Sequence, residues 1–366
     1  MDMQSTLFNY NNQDFKSQNN FDSFKFPSTR YQGSKLKLVD WIINETKNYS
    51  YETVLDAFGG TGSVSYSYKK IGKEVTYNDI LKFNYQFGKA LIENNDMKLS
   101  NESVNFILNP HDDIEYKTII QDNFKDTYFT DDENKWLDMV ITNMNYLDNE
   151  FEYAIAFFAL SQSCIIKRPY NLFHRKNLYM RTSNVKRSFG NKKTWDTAFV
   201  DWFLKFVKEA NHSIFNNNKL NKSLNLNAID IDNESKFDLV YIDTPYISEK
   251  GSTVDYYGFY HFLEGLLIYD NWEKNIDYKS KHNRLIPKKN VWNDKKLIYK
   301  EFDKLFNKFQ DSILVVSYRS DGIPSESELK ELICQYKTNV KIKKYGNYKY
   351  ALSKNKKSEE LLFIGE

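Results

Sequence analysis

The sequence predicts an α/β protein with an open sheet, on three observations. Residues 53–58 read as a short apolar strand, followed at once by Gly59, Gly60, Thr61 and Gly62 and a helical stretch from Ser63 to about Lys70. Residues 74–78 form a second strand that ends at Asp79, which completes one βαβ unit. Residues 238–242, rich in β-branched and aromatic side chains, read as a buried strand that Pro245 must end, because proline cannot continue the hydrogen-bond ladder. Asp79 and Asp243 therefore each stand at the C-terminal edge of a strand, where an open α/β sheet binds its ligands.

Composition bounds the rest. A chain of 366 residues with 27 Tyr and 27 Phe can bury a large core, as one large domain or two moderate ones. Its net charge of +2 says little about a polyanionic partner, so local clustering has to decide. Cys164 and Cys334 have no disulfide or zinc spacing, and both read as buried thiols in a reducing compartment. There is no charged leader with an apolar middle and no apolar run of about 18 residues, so a cytoplasmic chain with no membrane partner is expected.

Residues 1–25 are mostly Asn, Gln, Asp and Ser with scattered Phe, which reads as a loose tail or one docked by its aromatics. Tyr31, Gln32, Gly33, Ser34 and Lys35 then lead into a helix expected to carry Leu36, Val39 and Ile43 on one face. Lys35 reads either as a solvated lysine or as a cation beside an anionic ligand at that helix start. In the glycine turn, positive φ is accessible and a ligand can approach the backbone without a Cβ in the way. Gly72 can close the helix that follows. Asp79 falls about 20 residues after the glycines, the spacing at which an acid can take two ribose hydroxyls. No Gly-Lys-Ser/Thr follows the turn, and the spacing of Gly59, Gly60 and Gly62 departs from G-x-G-x-x-G. A single nucleoside-like cofactor fits better than a dinucleotide, but these residues do not choose among nucleosides.

Taken together, Tyr31 to Lys35, Asp56, Phe58 to Gly62, Asn78, Asp79, and Asp243, Thr244, Pro245, Tyr246 resemble the DNA adenine-N6 methyltransferase family, in its class with the cofactor motif ahead of the catalytic one. The resemblance runs from about residue 26 to residue 366. In that family the last motif is usually Asp-Pro-Pro-Tyr, so Thr244 is a departure. The resemblance implies a Rossmann-like S-adenosylmethionine-dependent methyltransferase sheet with a helical DNA-recognition insertion. Residues 26–95 and 222–366 would form the catalytic domain and 96–221 the insertion, after a polar tail of residues 1–25. S-adenosylmethionine would be held by Tyr31, Gly33 and Lys35, the last near its carboxylate, and by Asp56, Phe58, Gly59, Gly60 and Gly62 along its methionine part. Asp79 would take the ribose, and Asn227 would lie near the adenine of the cofactor, with Asp230 as competitor; Asp243 would border the same pocket.

The middle of the chain is too long for a simple connection and must carry helices of its own. Residues 151–166 are apolar on nearly all sides and read as a buried helix. Residues 167–193 hold nine Lys or Arg and no acid, interleaved with Tyr170, Phe173, Tyr179 and Phe189. A charge run is often a solvated face; this one suggests a surface that follows phosphates and reaches bases. The family's DNA-reading hairpin falls here, and Asn184, Val185, Phe189 and Gly190 resemble part of it. Double-stranded DNA is thus the implied partner, with Arg175, Arg181, Asn184, Lys186, Arg187 and Lys192 implied as its contacts. A helix from about Trp195 to Ala210, with Phe199, Phe203, Phe206 and Val207 inward, would return the chain to the core.

Residues 226–231 read as a strand beside the catalytic one. Residues 251–258 read as a flexible loop able to close over a substrate. His261 reads as a packed or capping histidine. Ile313 to Tyr318 is a further strand, Ser325 with Glu328 is a capping box, and strands near residues 340–345 and 361–364 can pair at the sheet edge.

The chemistry that follows is methyl transfer to an amine. The N6 lone pair of adenine is delocalised into the ring, so acceptors must draw it toward tetrahedral nitrogen. Asp243 and the Thr244 carbonyl would each accept one N6 hydrogen, Pro245 would aim that carbonyl, and Tyr246 would stack on an adenine flipped from the duplex. Such an enzyme would serve a restriction-modification or DNA-marking system, with a cognate restriction endonuclease as a candidate partner and no metal. The competing readings are a methylase of RNA or another planar amine, an inactive DNA-binding module on the same fold, and, disfavoured by the glycine spacing, a nicotinamide dehydrogenase.

Overall fold

The structure is a computed structural model, and it describes residues 21, 23–185, 191–232, 236–346 and 358–366. Among these the strands are β1 (Thr53–Asp56), β2 (Glu74–Asn78), β3 (Lys222–Leu224), β4 (Leu239–Ile242), β5 (Ile247–Ser248), β6 (Ile313–Arg319), β7 (Gly322–Ile323), β8 (Val340–Tyr345) and β9 (Glu360–Gly365). The helices are α1 (Val39–Thr46), α2 (Ser63–Lys70), α3 (Lys82–Gly88), α4 (Asn101–Leu108), α5 (Ile119–Asn123), α6 (Asp131–Met144), α7 (Glu150–Ile166), α8 (Tyr179–Thr182), α9 (Lys192–Asp196), α10 (Phe199–Ser213), α11 (Tyr256–Phe259), α12 (His261–Leu266), α13 (Ile298–Lys308) and α14 (Glu326–Cys334). Short 3-10 and π turns join several of them.

Seven strands form one sheet in the order β3-β2-β1-β4-β6-β9-β8, and β5 with β7 makes a small antiparallel ribbon. The first five strands run parallel, while β9 is antiparallel to both β6 and β8. From β1 the chain winds one way through β2 and β3, and from β4 it winds the other way through β6. The reversal falls between β1 and β4, so the crevice beyond their C-terminal ends is the place for a ligand.

Alternation along the strands splits the core between the two faces. Val54, Leu239 and Tyr241 face α2, α3, α7 and α10, while Leu55, Val240 and Ile242 face α13 and α14 with Phe302, Leu305, Phe306, Leu329 and Ile333. The helices between β2 and β3 share the first of these clusters with the sheet, Phe87 of α3 meeting both Phe83 of the same helix and Phe158 of α7. They are therefore packed on the sheet through one continuous apolar layer.

Local expectations held where the signal was local. α2 has the expected bounds and Gly72 closes it at φ +81; Ser325 and Glu328 form the reciprocal capping box; α7 is buried from Ala154 to Ile166. Phe24 stacks on Phe215 and Phe21 packs tilted against it, both at 5.0 Å, so the end of the polar tail is docked by its aromatics.

Four expectations are corrected. Leu36 is 44 % exposed and α1 starts at Val39, with Leu38, Val39, Ile42 and Thr46 inward. Residues 226–231 are a loop and a 3-10 turn, and the strand nearby, β3, pairs with β2 at the far edge rather than beside β4. The helix expected from Trp195 is broken at Thr197 and Ala198, so that Trp195 belongs to α9 and Phe199 opens α10. Cys334 is exposed at the end of α14, and only Cys164 is a buried thiol.

Candidate active site and nucleic-acid face

The glycine turn leaves β1 and the Asp-Thr-Pro-Tyr segment leaves β4, on neighbouring strands in register, Asp56 opposite Tyr241. Gly60 and Gly62 adopt φ +53 and +80, a region that L side chains rarely enter. A Cβ on Gly59 would strike the ring of Tyr77, which is fully buried and whose hydroxyl donates to the Gly60 carbonyl at 2.7 Å. Asp79 braces this turn: Oδ2 accepts from Gly60 N at 2.9 Å and Asn84 Nδ2 at 3.1 Å, and Oδ1 accepts from Leu81 N at 2.8 Å. Oδ1 keeps capacity for one more donor. Asn225 and Leu226 bond to Asp79 and Asn78, which brings half-buried Asn227 near the Asp79 end, while Asp230 is exposed. Asn227 caps its own 3-10 turn through Ile229 N.

Lys35 is buried, and this settles the choice left open between a solvated and a bound cation. Among the described residues its Nζ has three oxygens within 3.2 Å, those of Asp243 Oδ1, Glu360 Oε1 and the Tyr246 hydroxyl, enough to take all three ammonium protons. Lys35 therefore faces the Asp243 carboxylate itself, and no donor stands idle for the carboxylate of a ligand. Tyr246 donates to Asp243 Oδ1 at 2.6 Å, and its ring lies edge-on to Tyr318 with Lys35 4.8 Å from its centroid. Among the described residues none donates to Asp243 Oδ2, and the side chain is 16 % exposed. One oxygen of Asp243 is thus anchored and the other has no donor among the described residues.

Burial pushes the Asp243 carboxyl up to about 6, with Lys35 opposing and Glu360 adding to the rise. Burial likewise raises Asp56 to about 7 and Asp79 to about 6. Asp56 accepts from Ser65 at 2.6 Å through Oδ2, while its Oδ1 and the Thr244 hydroxyl are buried without a hydrogen-bond partner among the described residues. Phe58 packs edge-on against Trp292. The loop expected to move carries Tyr256, whose ring stacks on Tyr31 at 5.6 Å, with Tyr260 on that ring as well at 4.7 Å. Gly33, at φ +85, lets the Tyr256 hydroxyl approach. His261 is buried, bonded to the Tyr128 hydroxyl at 2.7 Å and held near 3 by burial, a packed histidine as expected.

The basic stretch divides in two. Arg175, Lys176, Asn184, Lys192 and Lys193 are exposed, with Lys192 paired to Asp196; Lys186, Arg187, Phe189 and Gly190 lie outside the described residues. Lys167, Arg168 and Arg181 are buried. Arg181 was expected on the DNA face, but it bonds Glu133 at 2.6 Å, and Lys167 reaches the same carboxylate at 2.9 Å. Burial would raise Glu133, but the two cations hold it below the usual carboxylate range. The acid lies far upstream on α6, invisible to a local count of charges. Arg168 donates to the carbonyls of Tyr128, Leu172 and Arg175, so it shapes the loop that displays Arg175. Tyr170 and Asn171, at φ 64 and 58, form a strained tip of that loop with Tyr170 62 % exposed. A second cationic segment that the sequence reading passed over, exposed at Lys279, Lys281, Lys288 and Lys289, lies against it. The Tyr128 hydroxyl ties the two together, lying 2.7 Å from the carbonyl oxygen of Phe173 and 3.1 Å from that of His282.

Arg181→Met should therefore lower stability by about 3 kcal/mol, because a largely buried carboxylate loses one of two counter-charges. Urea unfolding measures it. An unchanged midpoint with weakened DNA binding would return Arg181 to the DNA face.

A mostly parallel sheet with its switch point between a glycine turn and an acid-Thr-Pro-Tyr segment, flanked by a cationic loop, defines a methyltransferase of the Rossmann-like class. Residues 31–321 match the D12 class N6 adenine-specific DNA methyltransferase family. The chain belongs to that family, as the motifs suggested. It is similar to the type II methyltransferase M2.HphI of Haemophilus parahaemolyticus, 29% identical over 350 residues that cover 93% of this chain and 98% of the relative. It is also similar to the type II methyltransferase M.FokI of Planomicrobium okeanokoites, 28% identical over 83% of this chain and 46% of the relative. The modification methylase StsI of Streptococcus sanguinis is 28% identical over 91% of this chain and 51% of the relative. The chain thus spans nearly all of the first and about half the length of the other two. Among the described residues no helix is long and apolar enough to cross a membrane.

Proposed function

We propose that this chain methylates adenine N6 in duplex DNA, with S-adenosylmethionine as methyl donor, as the modification partner of a restriction system. The observation that carries the reading is the half-anchored Asp243: Oδ1 is held by Lys35 and Tyr246, while Oδ2 has no donor among the described residues, at the end of β4 beside β1.

The residues present suit the donor. Asp243 and Glu360 share the Lys35 ammonium, and Asp56 feels the charges of both Asp243 and Asp79, so among the described residues acids outnumber cations here and a ligand with positive charge of its own is favoured. The glycine turn from Gly59 to Gly62 would pass against the methionine part, Asp79 Oδ1 would take a ribose hydroxyl, and Tyr31 and Asn227 would flank the nucleoside. The unpartnered Asp56 Oδ1 and Thr244 hydroxyl are two buried polar atoms that such a ligand would satisfy. The amino-acid carboxylate has to be met outside the Lys35 ammonium. When bound, S-adenosylmethionine supplies an electrophilic methyl carbon on a sulfonium sulfur.

The chain's own part is to prepare the amine. Asp243 Oδ2 accepts one N6 hydrogen and the Thr244 carbonyl the other, which turns the nitrogen lone pair toward the methyl carbon. As the N–C bond forms and the S–C bond breaks, the amine sheds one proton, and Asp243 in its ionised form is placed to take it. Thr244 in place of the usual proline leaves the carbonyl role intact. Pro245 fixes the turn, and the Tyr246 ring, fastened by its hydroxyl, offers a wall for the flipped base.

On this reading residues 96–221 are the target-recognition insertion between the catalytic segments 26–95 and 222–366. Arg175, Lys176, Asn184 and Lys192 with the 279–289 segment would follow the phosphates. The test is transfer of labelled methyl groups to adenine-containing duplex DNA, with N6-methyladenine identified in the digest. Label in RNA alone, or none in either, would defeat it.

A further inference from the structure

We propose that Glu360 is a positioning residue of the methyl-transfer site, acting through Lys35 to keep Asp243 an oriented and sufficiently basic proton acceptor. The inference rests on the methyl-transfer reading given above.

Glu360 is fully buried at the start of β9, a strand that runs antiparallel to β6 and delivers this carboxylate beneath the end of β4. Its Oε1 accepts from Lys35 at 2.8 Å and from Ser317 on β6 at 2.5 Å, and the Tyr246 hydroxyl lies 3.3 Å away. Nothing local in the sequence points to it, since it stands 325 positions from its lysine.

Burying a carboxylate is costly unless it is paired, and Lys35 meets that need. Yet Lys35 has a second claimant in Asp243 at 3.2 Å. One cation shared by two carboxylates gives Asp243 enough positive charge to ionise and be held in place, but not enough to suppress its affinity for a proton. Without Glu360 the whole of the Lys35 charge would fall on Asp243, which would become a weaker acceptor for the N6 hydrogen. Among the described residues the other groups around the pair are Asp56 on β1, Tyr241 on β4, Tyr246 beyond β4 and Ser317 on β6. Arg319, across from Glu360 on β6, is bound to Asp321.

The test is the pH profile of kcat for methyl transfer in the full-length wild type and in Glu360→Gln, which keeps volume and removes charge. The expected result is an acid limb moved down by about one pH unit and a plateau lowered by about tenfold, with KM for cofactor and DNA unchanged. In Lys35→Met/Glu360→Gln, which removes the buried pair as a unit, the limb should move up instead, because Asp243 then loses its counter-charge. That double variant also serves if Glu360→Gln folds poorly. A limb that stays at the wild-type pH in either folded variant overturns the proposal, since a merely structural glutamate would alter stability and leave the limb in place. Wild-type protein that methylates no adenine would sink the methyl-transfer reading itself, a result distinct from a wild type that works and a limb that does not move.

Discussion

Asp243→Ala is expected to reduce methyl transfer about 10³-fold, the scale on which a preorganised acceptor acts in a water-poor site. Cofactor binding, followed by calorimetry, should stay within a few-fold. The separation follows from geometry. Oδ1 serves the internal network with Lys35 and Tyr246, whereas Oδ2, without a donor among the described residues, would serve the substrate amine. Removing the side chain leaves Lys35 paired with Glu360, so the fold keeps its buried charge balance and the loss falls on chemistry. Wild-type rate should climb with pH through about 6, where the Asp243 carboxyl ionises, because only the carboxylate accepts the N6 proton. In the alanine variant that limb should vanish from the residual rate. Full activity in Asp243→Ala would refute the acceptor role.

Lys35→Met is expected to cost about 3–5 kcal/mol of stability, the range found when one partner of a buried ion pair is deleted. Glu360 is fully buried and Asp243 nearly so, and both would face one another without a cation. The pH dependence has a definite sign. Losing Lys35 raises still further the folded-state proton affinity of Asp243, which already lies above its unfolded value, so the folded variant binds protons that the unfolded chain has already released. Its deficit against wild type should then be small near pH 5 and grow as pH rises through the raised values. Chemical denaturation at several pH values measures this, and adding Glu360→Gln should restore most of the loss. A lysine that served only to meet a ligand carboxylate would show no such deficit in the ligand-free protein.

These two variants concern residues whose visibility in the sequence differs sharply. Asp243 was legible because its signal is contiguous: an apolar run, an acid, then a proline that ends the strand. The glycine turn, Asp79, α2 with Gly72, and the Ser325 capping box were legible for the same reason. Lys35 was half legible, being singled out as a cation but assigned to a ligand carboxylate, and Glu360 was missed. Arg181 was misplaced because a run of nine cations without an acid looked like a phosphate track, while the acid that neutralises it stands on α6.

Neighbouring residues alone were enough to define the βαβ unit, the strand that carries Asp243, the buried helix α7 and the family to which the chain belongs. Periodicity, capping and turn chemistry act over a few positions, so they are written in contiguous stretches. Which charges meet was resolved only when the sheet was assembled, with β9 inserted next to β6 and the segment before α1 laid across the ends of β4 and β9. A buried ion must find its counter-charge wherever packing delivers one, and packing joins residues that the chain keeps hundreds of positions apart.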